Sequence, residues 1–179
     1  SDLDEFHPVA RRPITLIEND RGKAPVTTTE LNAAAAEAKL HVTDDQQADG
    51  YWLTSHTKTD RFIQARVEMN TFLEAMMIDI LEPVATETGL DKTLKHARKH
   101  LVGQIESDGL VRYHGRPDSP TIPSLGCVIT PDADDTTLAW RIAGGSRDDL
   151  MPRVLSLLKN YQTPDGLFRT WLAPVDEYI

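Results

Sequence analysis

The sequence predicts an all-α fold made of stacked helical hairpins. Apolar residues recur at helical spacing through much of the chain, nothing alternates convincingly with period two, and an Asp-Gly turn returns at nearly equal intervals.

Residues 1–26 hold Pro8, Pro13 and Pro25 among mixed charges and are expected to form an extended arm. Residues 27–179 are expected to form the helical-repeat domain, incomplete at its C-terminal end because "WLAPVDEYI" stops on an apolar residue. A first helix begins near Thr28, where threonine caps, an early Glu30 and an alanine run coincide. A longer helix is predicted after Asp60, carrying Phe62, Val67, Met69, Phe72, Leu73, Met76, Ile80 and Leu81, with Pro83 at a kink or near its end. A third runs from about Asp91 to Glu106 with Leu94, Ala97, Leu101, Val102 and Ile105 inward. Seven glycines and prolines between 107 and 131 make that stretch the longest loop. The next helix starts at the aspartates of "PDADDTTLAW" and ends at the glycine pair 144–145. The last covers 147–161, with Pro152 placed in its first turn.

With 179 residues the chain is long enough for one domain with its own core. Its 28 acidic and 19 basic side chains give a formal net charge of −9, which argues against a nucleic-acid partner. No stretch approaches the roughly 20 consecutive apolar residues of a transmembrane helix. The single cysteine, Cys127, forbids an intrachain disulfide and is expected to be a buried, inert thiol.

The recurring turn reads "QQADGYWLT" at 46–54, "QIESDGLVRY" at 104–113 and "QTPDGLFRTW" at 162–171. Gly50, Gly109 and Gly166 are thus 59 and 57 residues apart, room for two helices each time. Glycine permits the positive φ at which a helix stops. Gln46, Gly50 and Trp52 share a QxxxGxW-like spacing with Gln162, Gly166 and Phe168, while Gln104 has one residue more before Gly109. These repeats resemble those of squalene–hopene cyclases and related (α/α) toroid terpene cyclases and protein prenyltransferases. "DADDTT" at 132–137 looks like the DxDD motif of the class II cyclases in that family. The resemblance spans roughly residues 45–171.

That resemblance implies part of an (α/α) toroid and a protonation-initiated cyclisation of an apolar isoprenoid. Asp134 is implied as general acid, with Asp132 and Asp135 as its supports. The family generally encloses substrate between two helical domains, so a second chain or a further C-terminal half is expected to complete the toroid. The chemistry suits crowded carboxylates. An alkene is a feeble base, and like charges together with burial raise at least one carboxyl pKa. Cations are stabilised by aromatic faces, for which Trp52, Tyr113, Trp140, Phe168 and Trp171 are available. His114, Trp140, Tyr113 and Trp171 are the candidate substrate contacts.

The plain alternative is that Pro131-Asp132 merely starts a helix, since free N–H groups and the helix dipole favour acidic residues there. No cofactor is expected. The one alternative, Mg²⁺ on the aspartates, requires further oxygen ligands in octahedral geometry, and the DDxxD pattern of the diphosphate-ionising synthases is absent. His96 and His100 stand at i and i+4, but "HARKH" with its lysines and arginine reads as a solvated basic face. His114, with Arg112 and Arg116, is a candidate anion-binding loop or a support for the acid. Ser124 and Cys127 lack a nucleophile's partners. Two other functions compete: a carbohydrate-active α/α barrel with Asp108 or Asp165 as second acid, and a non-catalytic helical-repeat module that binds through its concave face.

Overall fold

Helix α1 (Thr28–Asp44) opens on a complete capping box: Thr27 Oγ1 accepts from Glu30 N at 3.2 Å, and Glu30 Oε2 accepts from Thr27 N at 2.8 Å. The computed structural model describes residues 26–57, 59 and 65–173. The expected arm therefore lies outside the described residues except for Val26, as do Phe62 and residues 174–179. No α1 residue is buried. Its main tie to the body is Trp52, whose Nε1 donates to Val42 O at 2.8 Å.

The protein is mostly helical, and the purely helical expectation fails at one place. Strands β1 (Leu53–His56) and β2 (Arg66–Met69) pair antiparallel, with Leu53 opposite Met69 and His56 opposite Arg66. The helix expected from Asp60 begins only at α2 (Thr71–Leu81), capped by Asn70, whose side chain accepts from Leu73 N at 2.9 Å. Val67 and Met69 lie two residues apart in a strand, and a short apolar run does not tell the two periods apart. The later start also changes the buried face of α2 to Ala75 and Ile78, leaving Leu73 and Ile80 exposed.

After a 3₁₀ turn (Glu82–Val84) and the single turn α3 (Ala85–Thr88), helix α4 (Asp91–Gln104) runs back with Leu94, Ala97 and Leu101 inward, as their spacing predicts. The long loop contains only the short α5 (Ile122–Leu125). Helix α6 (Ala133–Ala143) starts at Asp132 and stops at Gly144, φ +57°. Helix α7 (Met151–Asn160) follows a 3₁₀ turn, with Pro152 in its first turn where its missing N–H costs nothing.

Helices α2, α4 and α6 pack against one another around a core that includes Ile78, Leu94, Leu101, Ile105, Val111 and Ile142. A second cluster gathers Leu110, Val154 and Leu172 under α7. Trp140 packs against both clusters, and its Nε1 donates to Gly109 O at 2.7 Å. Among the described residues no helix is long and apolar enough to cross a membrane.

The three turns are copies of one backbone motif. Gln47 N donates to Tyr51 O (2.8 Å) and Gly50 N to Gln47 O (2.9 Å). Glu106 repeats this with Leu110 and Gly109 (3.0 and 2.9 Å), and Thr163 with Leu167 and Gly166 (2.7 and 2.9 Å). The register resolves the extra residue in the second copy. The counterpart of Gln46 and Gln162 is Ile105, not Gln104. Gln46 Nε2 staples its turn to Gly50 O (2.7 Å) and to Thr93 O at the start of α4 (2.9 Å), and Gln162 Nε2 reaches Gly166 O (3.2 Å). Ile105 is instead buried in the main core.

Candidate active site around the start of helix α6

Two neighbouring segments fix the first turn of α6. Asp132 N donates to Val111 O (3.4 Å), Ala133 N to Thr170 O (2.8 Å), and Leu172 N to Pro131 O (2.9 Å). Thr136, fully buried, accepts from Val111 N at 3.1 Å through its Oγ1. Two of the repeat turns thus continue into the segments that clamp the helix start.

The three aspartates diverge from there. Asp132 caps the helix, its Oδ1 accepting from Asp135 N at 2.7 Å. Asp134 points outward and is exposed. Asp135 is only 2% exposed, and its Oδ2 is buried without a hydrogen-bond partner. Burial, then the Asp132 charge and hydrogen bond, then the Asp134 charge, push the Asp135 carboxyl up to about 8. Burial also raises Asp132, with Asp134 adding to it, but hydrogen bonds from Asp135 oppose the rise. The pair therefore holds one proton at neutral pH. The two carboxyls titrate as one unit.

Polar side chains from the hairpin and the long loop close the other side. Burial raises the Tyr113 hydroxyl, helped by the Glu68 and Asp135 charges, and Asn70 beside it lowers it. Glu68, 5% exposed, has its Oε2 2.9 Å from His56 Nδ1 and 3.7 Å from His114 Nδ1. His114 is buried, 3.4 Å from Met69 O, and meets the Tyr113 ring edge-on at 4.9 Å. Asn70 Nδ2 is a second buried polar atom without a partner.

Of the expected substrate contacts, His114 packs against Tyr113, and Tyr113 feels the charge of Asp135. Trp171 is 43% exposed, its backbone bridged to Asp132. Trp140 is tied into the core seam between the two hydrophobic clusters. Glu68 and Asn70 had no signal of their own, since both fell in the segment read as helix. The cap pattern Asn70-x-x-Leu73 at a later helix start was the one available clue.

Other expectations are corrected. Arg112 is no anion-binding group: its Nε donates to Glu106 Oε1 at 2.6 Å and its Nη1 to Ile129 O at 2.8 Å. Arg116 pairs with Asp118 at 3.2 Å. His96 is solvated, but His100 is half-buried. Its Nδ1 lies 2.9 Å from the buried Glu74, its Nε2 3.1 Å from Gln104 Nε2, and its ring packs on Tyr51. Gln104 Oε1 then accepts from Arg116 N and Ser119 Oγ, at 3.0 and 3.3 Å. Those partners make the network a brace between α2, α4 and the long loop. An open cavity of about 660 Å³ beside it is walled by Tyr51, His96, Lys99 and Arg116, and none of the three aspartates lines it. Cys127 is exposed, contrary to the buried thiol expected of it. Asp108 and Asp165 belong to the repeat turns, Asp108 Oδ1 accepting from Leu110 N at 3.0 Å and Asp165 from the Thr163 hydroxyl. Among the described residues no group of three or more His, Cys, Asp or Glu side chains is arranged to hold a metal ion.

No family model, no curated protein and no solved structure matches the chain.

Proposed function

We propose that the protein belongs to the terpene cyclase-like (α/α) toroid architecture and starts the cyclisation of an apolar isoprenoid by protonating it. The observation that carries this reading is the buried Asp132–Asp135 pair, which keeps a neutral carboxylic acid at physiological pH beside the exposed Asp134. Asp134 is the donor to substrate, and the proton it gives up is drawn from the cluster, which is left with one proton fewer. In the step itself the alkene π electrons form a C–H bond while the carboxyl O–H breaks. A carboxylate and a tertiary carbocation remain, and a further alkene closes the ring. Loss of a proton from carbon ends the sequence. The Tyr113 ring supplies a π face beside the cation, an attraction of about 0.5–2 kcal/mol. The turn repeat and the packing of α2, α4 and α6 support the toroid.

Helix capping is the competing reading, and the 2.7 Å bond from Asp135 N to Asp132 favours it for Asp132. A cap needs no second buried carboxyl with an unpartnered oxygen, so capping leaves Asp135 unexplained. The sugar-hydrolase reading loses its second acid, because Asp108 and Asp165 serve the turns.

The test is incubation of the full-length protein with linear isoprenoid polyenes of graded length, with products separated and identified by mass spectrometry. Cyclic isomers of unchanged mass are expected, absent with Asp134→Asn and reduced at least tenfold with Asp135→Asn. Recovery of only linear polyenes at every length rejects the reading.

A further inference from the structure

Each repeat turn is built as a seat for a helix, and two of the three seats are filled. A Cβ added to Gly50 would lie 2.7 Å from His96 O on α4, and one added to Gly109 would lie 2.7 Å from Val154 Cβ on α7. Gln46 adds its bond to Thr93 O of α4, and Leu110 clusters with Val154 of α7. The two residues after each of these glycines are buried: Tyr51 and Trp52, then Leu110 and Val111. The third turn has the same backbone hydrogen bonds, and it bridges Gln162 to Phe168 as the first bridges Gln46 to Trp52. Its two following residues differ, for Leu167 is 65% and Phe168 52% exposed. Among the described residues, only the Gln162 side chain comes within 4 Å of a Cβ added to Gly166.

At the other end of the repeat order, α1 is a helix without a seat. It leads into the first turn as α4 leads into the second and α7 into the third, yet none of its residues is buried. Helix α4 meets a turn through His96, thirteen residues before its own Gly109, and α7 through Val154, twelve before Gly166. The same steps back from Gly50 reach Glu37 and Ala38, next to the alanine run 33–36, whose small side chains permit an equally close approach. Charge fits as well. Helix α1 carries Glu30, Glu37 and Asp44 against Lys39, counting His41 as neutral, while α7 and the third turn carry Arg153, Lys159 and Arg169 against Asp165. All of these are exposed. We infer that α1 of one copy docks on the third turn of a second copy, in a head-to-tail contact that continues the repeat from chain to chain. Ala38 faces Gly166, the seated helix covers Leu167 and Phe168, and Gln162 donates to one of its carbonyls as Gln46 does to Thr93. A contact between two different surfaces either closes into a ring or extends further. It requires none of the three aspartates.

The test is sedimentation of the intact protein over a concentration series, for the wild type, Ala38→Arg and Leu167→Glu. Both substitutions fall on exposed positions, so circular dichroism is expected to stay unchanged. The wild type is expected to associate as concentration rises, and each variant alone to weaken that association at least tenfold. An equal mixture of the two variants is expected to recover a two-chain species, because the intact third turn of Ala38→Arg accepts the intact α1 of Leu167→Glu. A wild type that stays monomeric at every concentration overturns the inference, whether the third turn is then covered by another part of the same chain or left bare. Association that neither variant weakens assigns the contact to another surface and overturns it too. A mixture that stays monomeric shows a like-on-like interface and also overturns it.

Discussion

Asp135 is the residue whose environment departs furthest from what its neighbours in sequence imply. Its folded pKa, about 8, lies well above the ordinary carboxylate value. The folded state therefore binds more protons than the unfolded state between about pH 4 and pH 8. Stability should fall as pH rises through that window, by up to about 1.4 kcal/mol per unit. Asparagine cannot ionise. We expect Asp135→Asn to match the wild type near pH 4 and to gain on it steadily toward pH 8, as read by urea midpoints at each pH. Parallel midpoints across the range would show that Asp135 ionises normally. Gly109 makes a second residue-level case. Its φ is +90°, and an added Cβ would lie 2.7 Å from Val154 Cβ. Gly109→Ala should cost about 1–3 kcal/mol in thermal or denaturant unfolding.

The repeated turn is the informative element, because three sequences build one backbone with different side-chain support. Gln46 makes two hydrogen bonds, one to a different helix, whereas Gln162 makes one longer bond at an exposed site. Gln46→Ala should therefore destabilise by about 1–3 kcal/mol and Gln162→Ala by well under 1 kcal/mol, measured by denaturant titration. Equal effects would mean that the glutamine acts only within its own turn. The turns themselves were legible in the sequence, since Asp-Gly is a local conformational signal. Their alignment was not, because burial of Ile105 and the partners of Gln104 depend on what packs above them. The β-hairpin escaped for a related reason. Leu53–His56 and Arg66–Met69 are four residues each, too short for periodicity to separate strand from helix, and their pairing is a non-local fact.

For the molecule as a whole, two hydrophobic clusters meet at a single large side chain. Trp140 touches both and binds Gly109 O. Trp140→Ala should cost about 3–5 kcal/mol and separate the unfolding of the α7 region from that of the α2–α4–α6 core. Hydrogen exchange should then show α7 amides opening before those of α4. A single cooperative transition with uniform exchange would mean that the clusters are coupled by other contacts.

By itself the sequence determined the helices α1, α4, α6 and α7, the turns between hairpins, and the crowding of three acids at one helix start. Each of these rests on local chemistry: capping side chains, apolar spacing within a few turns, and glycine at positive φ. Only the tertiary structure decided which acid is buried. Asp134 and Asp135 are adjacent in the chain, yet a 100° step around the helix turns one to the surface and the other under the Val111–Tyr113 segment. Glu68 reaches His114 and Tyr113 the same way, brought from a hairpin more than 40 residues upstream of them by pairing that no local pattern encodes.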